Sequence, residues 1–149
     1  MIKPILIYFL LIISISIQSQ EKEHTLQAIQ TTIQNYYDGY IERDLNKLNK
    51  AFDTVNGTMK IPISKEDQTM GYKNAFFKDL MPIWGNREKL SKETLENCAL
   101  EILNIDVVAT QIASAKMRMK VDLVTYIDIL SLQKINGFWK ITNKIYIVE

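Results

Sequence analysis

A chain of 149 residues is long enough for one domain with one core. Its 18 basic and 17 acidic residues give a net charge of +1, which argues against nucleic acid or an anionic membrane surface as partner, since both reward a basic excess. A single cysteine, Cys98, excludes an intramolecular disulfide, and it reads as a small apolar residue at the start of a strand.

The N-terminus reads as an export signal. Lys3 supplies a positive start, and an apolar run from Ile5 to Ile17 precedes Gln18-Ser19-Gln20. That run is about thirteen residues, short of the roughly twenty that span a bilayer as a helix. Cleavage is expected after Ser19, so 1–19 is the signal peptide and 23–149 the folded domain. The exported product would be periplasmic or secreted, with no membrane contact after cleavage. Lys3 is the only charge in the signal, so the remainder carries equal numbers of basic and acidic residues.

From Glu23 to Ile41 the residues Leu26, Ile29, Ile33, Tyr36, Tyr37 and Tyr40 recur at helical spacing and form one stripe. Asp44 is placed as an N-cap for a short amphipathic helix carrying Leu45, Leu48 and Phe52. Asn56-Gly57 marks a turn, and Thr58 to Ile63 reads as a strand blunted by Pro62. Ser64, with Asp67 three residues on, offers a helix cap. A third helix is expected from Asn74 to Met81, closed by Pro82, with Met81, Ile83 and Trp84 as apolar bulk.

Beyond Cys98 the period becomes two. Ala113, Ala115, Met117, Met119 and Val121 alternate with Ser114, Lys116, Arg118 and Lys120, the pattern of a half-buried strand. Asn136-Gly137 between apolar runs predicts a type I′ hairpin, because both central residues need positive φ. Helices followed by antiparallel strands make an α+β fold with helices on one face of the sheet.

A two-residue turn pairs Ile135 with Phe138, and hence Leu132 with Ile141, Leu130 with Asn143, Asp128 with Ile145 and Tyr126 with Ile147. Opposed side chains share a face. The inner face then carries Tyr126, Leu130, Leu132, Trp139, Ile141, Ile145 and Ile147, together with Asp128 and Asn143. The outer face holds Lys140, Thr142, Lys144, Ile127, Ile129, Phe138 and Tyr146. A carboxylate on an apolar face is costly unless it is hydrogen-bonded or looks into a wet cavity. Asp128 and Asn143 are therefore read either as pocket residues or as a polar cluster closed by a tyrosine of the first helix. A bulge between Tyr126 and Leu130 would turn Asp128 outward.

Tyr37-Asp38-Gly39-Tyr40, Asp44 and Ala51-Phe52 resemble the opening helix pair of the putative lumazine-binding family, within the nuclear transport factor 2-like (SnoaL-like) superfamily. Tyr126-Ile127-Asp128-Ile129-Leu130-Ser131-Leu132 and Asn136-Gly137-Phe138-Trp139-Lys140-Ile141, followed by Asn143-Lys144, are similar to its last two strands. The resemblance implies a cone-shaped fold, a curved antiparallel sheet packed against three helices around a cavity, and frequent dimers. Ile127, Ile129, Phe138 and Tyr146 on the outer face read either as a homodimer surface through the sheet or as scattered apolar groups on a twisted surface. Members often carry histidine after the Ala-Phe pair; here Asp53 stands there, and the one histidine, His24, is expected to be exposed. That leaves neither a pocket imidazole nor a histidine metal site, and no cofactor or metal is expected. By likeness to steroid-isomerase folds, Asp53, Asp128 and Tyr40 are the candidate catalytic residues.

Three functions remain open from the sequence. The first is a non-catalytic exported binder of a small apolar or aromatic ligand, walled by Tyr36, Tyr40, Phe52, Trp84, Tyr126, Asp128, Trp139 and Asn143. The second is an isomerase or cyclase using pocket carboxylates and tyrosine. The third is a protein-interaction module whose cavity is filled by its own side chains.

Overall fold

The computed structural model describes residues 4–64 and 70–149, with side chains over 20–63 and 71–149. Helix α1 runs unbroken over Pro4–Glu42, so the helix start expected at Glu23 lies inside it. No helix among the described residues is long and apolar enough to cross a membrane. The stripe forecast for α1 is real: Ile29, Ile33 and Tyr36 are fully buried, and Tyr37 and Tyr40 nearly so. Arg43, at φ 61, ends α1 and turns the chain back. Asp44 caps α2 (Leu45–Ala51), its Oδ1 accepting from the Asn46 and Lys47 N–H groups at 2.8 and 3.2 Å.

Between α2 and the long strands the structure departs from the sequence reading. Strand β1 (Thr58–Ser64) is followed by a second strand, β2 (Met70–Phe76), where a helix was expected from Asn74. Asn74 instead faces Lys60 across the β1–β2 ladder and accepts from its Nζ at 2.9 Å. Ser64 ends a strand rather than capping a helix, and Asp67 lies outside the described residues. Helix α3 (Phe77–Gly85) begins later and runs through Pro82. Proline removes the N–H that would reach Lys78, yet the turn resumes, the Asn86 N–H donating to the Pro82 carbonyl at 3.0 Å. A fourth helix, α4 (Lys92–Glu96), is capped by Ser91, whose Oγ accepts from the Thr94 N–H at 3.1 Å.

Strands β3 (Ala99–Val108), β4 (Ile112–Val121), β5 (Val124–Ile135) and β6 (Phe138–Val148) follow as a meander. The six-stranded sheet has the order β2-β1-β6-β5-β4-β3, and β1 joins β6 in parallel, so the sheet is mixed. Alternation along β4 follows the sequence pattern, with Ala113, Ala115, Met117 and Met119 buried against the helices. Asn136 and Gly137 both have positive φ, at 50° and 85°, as the type I′ corner requires. Cys98 is half-buried just before β3, its Sγ donating to the Thr94 carbonyl at 3.2 Å.

The register of β5 and β6 is correct near the corner and shifts beyond it. Leu132 pairs with Ile141 as expected, but Ser131 pairs with Asn143, leaving Thr142 as an extra residue. This is a β-bulge on β6, and it reverses the expected facing of the β6 residues beyond it while leaving β5 unchanged. Asp128 opposes Tyr146 rather than Ile145, and Leu130 opposes Lys144 rather than Asn143. Lys144 and Tyr146 turn inward; Ile145 and Ile147 turn outward. The bulge falls where the other neighbour of β6 changes. Ile141 bridges to Phe52 in the loop after α2, whereas Asn143 already lies alongside Thr58 of β1.

Candidate functional site

Asp128 stays on the inner face because the extra residue lies on β6, not on β5. It is fully buried and meets two partners. Tyr36 of α1 donates its hydroxyl to Asp128 Oδ2 at 2.9 Å, and Lys144 Nζ lies 2.7 Å from the same oxygen. Lys144 Nζ also donates to the Tyr36 hydroxyl, closing a three-membered cluster. The ammonium sits over two rings, 4.9 Å from the centroid of Tyr36 and 5.0 Å from that of Tyr146. Asp128 Oδ1 has no hydrogen-bond partner among the described residues.

Burial sets the protonation of this cluster. Desolvation holds the Lys144 ammonium below its ordinary pKa, with Asp128 opposing that shift. Desolvation, reinforced by the Asp128 charge, lifts the Tyr36 phenol well above its usual range, so it remains a donor. Tyr146 is raised for the same reasons in the same order, burial first and Asp128 second.

Above the cluster opens a cavity of about 290 Å³ between α1, α3 and the inner face of the sheet. Met59, Ile61, Leu80, Trp84 and Met119 give it apolar walls. Tyr40, Tyr126 and Tyr146 add phenols, Lys144 is the primary amine in the lining, and Arg87, just beyond α3, adds a guanidinium. Arg87 Nη1 donates to the Tyr40 hydroxyl at 2.7 Å and finds no carboxylate within ion-pair distance among the described residues. Arg87, an exposed side chain, is thus the charged group of the lining without a carboxylate partner among the described residues.

The residues assigned to the pocket from sequence therefore divide. Tyr40, Trp84 and Tyr126 line the cavity. Tyr36 and Asp128 lie behind its lining and reach it through Lys144. Phe52 and Trp139 are core residues, Phe52 packed on Phe77 and Tyr36 at centroid distances of 4.4 and 4.8 Å. Asn143 is displaced by the bulge to the seam between β6 and β1, where its Nδ2 donates to Thr58 Oγ1 at 2.9 Å. Asp53 is committed to a turn, Oδ1 accepting from the N–H groups of Val55 and Asn56 at 3.0 and 3.2 Å. His24 is exposed, and no cluster of metal-ligating side chains occurs among the described residues.

Lys144, Tyr146 and Arg87 are the polar lining residues that sequence reasoning missed. Parity along a regular strand put Lys144 outside, and no local signal marked the bulge. Arg87 sits in a polar run without periodicity, where only the third dimension shows that it points back at Tyr40.

Residues 24–147 match the family described as putative lumazine-binding. The chain belongs to that family. Among curated proteins, none matches the chain. A nuclear transport factor 2-like protein of unknown function from Shewanella baltica superposes with a TM-score of 0.66 at 22% identity, covering 83% of this chain and 93% of that one. A second such protein, from Silicibacter pomeroyi, gives 0.66 at 14% identity over 86% and 98%. A putative scytalone dehydratase from Novosphingobium aromaticivorans gives 0.59 at 12% identity over 88% of each chain. At these identities the likeness shows the fold alone. This member of the putative lumazine-binding family thus has the cone-shaped fold of the nuclear transport factor 2-like proteins, and its site must be read from its own side chains.

Proposed function

We propose that this protein is an exported, non-catalytic binding protein whose cavity holds a small flat molecule with an acidic or hydrogen-bond-accepting edge. The observation that carries the reading is the cavity's combination of apolar walls with Arg87, a charge with no carboxylate in ion-pair distance among the described residues. Trp84, Leu80 and Met119 supply surface for a ring, and the Tyr126 and Tyr40 hydroxyls offer polar groups near Arg87. A bicyclic dione such as a lumazine, the ligand class in the family's description, fits that demand, as does an aromatic carboxylate. A non-catalytic role is supported by the occupation of the candidate acids: Asp53 holds a turn and Asp128 is ion-paired.

Arg87→Met should weaken binding of benzoate or lumazine up to about fivefold in calorimetry, with little change in melting temperature, because a solvent-exposed charge pair contributes up to about 1 kcal/mol. Unchanged affinity for both probes would overturn the placement of the acidic edge. Mass spectrometry of molecules that co-purify with the full chain would then name the ligand.

The partner we propose is a second copy, joined through the outer face of the sheet. The bulge gives that face more apolar surface than the sequence suggested. Ile127, Ile129, Ile145 and Ile147 line a groove of about 440 Å³, with Ile129 and Ile147 47% and 56% exposed. Without Lys3 the basic and acidic residues are equal in number, which leaves two copies with little mutual repulsion. Protein recovered after export should sediment as a dimer and begin at Gln20; a monomer, or a retained leader, would refute the corresponding part.

A further inference from the structure

We infer that Lys144 retains carbonyl ligands covalently, its Nζ forming a reversible imine with an aldehyde or ketone seated in the cavity. The inference rests on the binding reading above and names the chemistry by which the same cavity would hold its ligand.

Three features of the site support it. Lys144 is the only primary amine that lines the cavity among the described residues, and it reaches there from a position 4% exposed. A desolvated lysine is more easily deprotonated, and hence more nucleophilic, than one in water. A proton acceptor is already in place, since Asp128 Oδ2 lies 2.7 Å from Nζ. Transfer of one proton from Lys144 to Asp128 turns a buried ion pair into a neutral amine beside a neutral acid. Tyr36 bonds both groups and keeps its own proton, so it can relay one between them.

The steps balance without an oxidant or reductant. The amine lone pair attacks the carbonyl carbon, forming C–N as the C=O π pair moves to oxygen. A proton shifts from nitrogen to that oxygen through Tyr36 and Asp128, giving the carbinolamine. The protonated Asp128 then donates to the hydroxyl, water leaves, and the nitrogen lone pair forms C=N. The product is a protonated imine beside an Asp128 carboxylate, so the charges of the original pair are restored. Capture therefore leaves no unpaired buried charge, and hydrolysis reverses it by the same path. Arg87, in the same lining, suits a carbonyl compound that also bears an acidic group.

The test treats the full chain with 4-carboxybenzaldehyde and cyanoborohydride, then measures intact mass and maps the modified peptide. One adduct per chain, saturable and located on Lys144, is the expected result. Lys144→Arg keeps a cation for Asp128 but has no primary amine, and it should reduce that adduct at least tenfold. Modification confined to surface lysines of the parent protein would overturn the inference, and this holds even if the variant fails to fold. 4-Carboxybenzyl alcohol, which has the same shape but no carbonyl, separates the two readings in calorimetry. Alcohol that binds alongside an aldehyde that leaves Lys144 unmodified refutes capture and spares the cavity; an alcohol that does not bind refutes the aromatic-acid cavity itself.

Discussion

Lys144→Met should lower the unfolding free energy by about 3–5 kcal/mol, the usual cost of removing one partner from a buried ion pair. Methionine matches the lysine stem in volume, so packing changes little; the loss comes from Asp128. Without Lys144 that carboxylate, fully buried, keeps only the Tyr36 hydroxyl among the described residues, where its Oδ1 has no partner. The double variant Asp128→Asn with Lys144→Met removes both charges and should recover part of the loss: the amide oxygen still accepts from Tyr36, while the amide N–H groups are left without an acceptor. Urea unfolding of the two single variants, the double variant and the parent gives the coupling energy directly. A Lys144→Met protein within 1 kcal/mol of the parent would mean that the pair is solvated or absent.

The same pair shows what could and could not be read from the chain. The helix stripe of α1, the alternation of β4 and the Asn136-Gly137 corner are local patterns, each carried by neighbours in sequence, and each is found where it was expected. Asp128 was identifiable as an inward acid because β5 is regular on both sides of it. Lys144 was not, because its facing depends on one extra residue in β6, and that bulge lies where the strand changes partners from Phe52 to β1. The contacts that place it are distant in sequence. An acid and an amide were expected beneath the helices; an acid and an ammonium stand there. β2 was missed for a related reason. Gly71, Lys73 and Asn74 give weak strand propensity, and its pairing with β1 makes it an edge strand where polar side chains face water.

Phe52→Ala is the second large effect, expected at about 3–5 kcal/mol of stability, in the range for removing a buried aromatic ring. Phe52 is 1% exposed, and its ring lies 4.8 Å from Tyr36, 4.4 Å from Phe77 and 5.8 Å from Trp84. Those neighbours come from α1 and α3, while the Phe52 backbone bridges to Ile141 of β6. One side chain thus fixes the spacing between both helices and the sheet, and so the width of the cavity beside it. Because Phe52 stands behind the wall rather than in it, Phe52→Leu separates its two effects. Leucine refills most of the volume, so stability should return to within about 1–2 kcal/mol of the parent. Benzoate affinity should also return to nearly the parent value, because no ligand contact was lost. Full stability with affinity still tenfold weaker would place the Phe52 ring against the ligand, and would move the cavity floor toward β6.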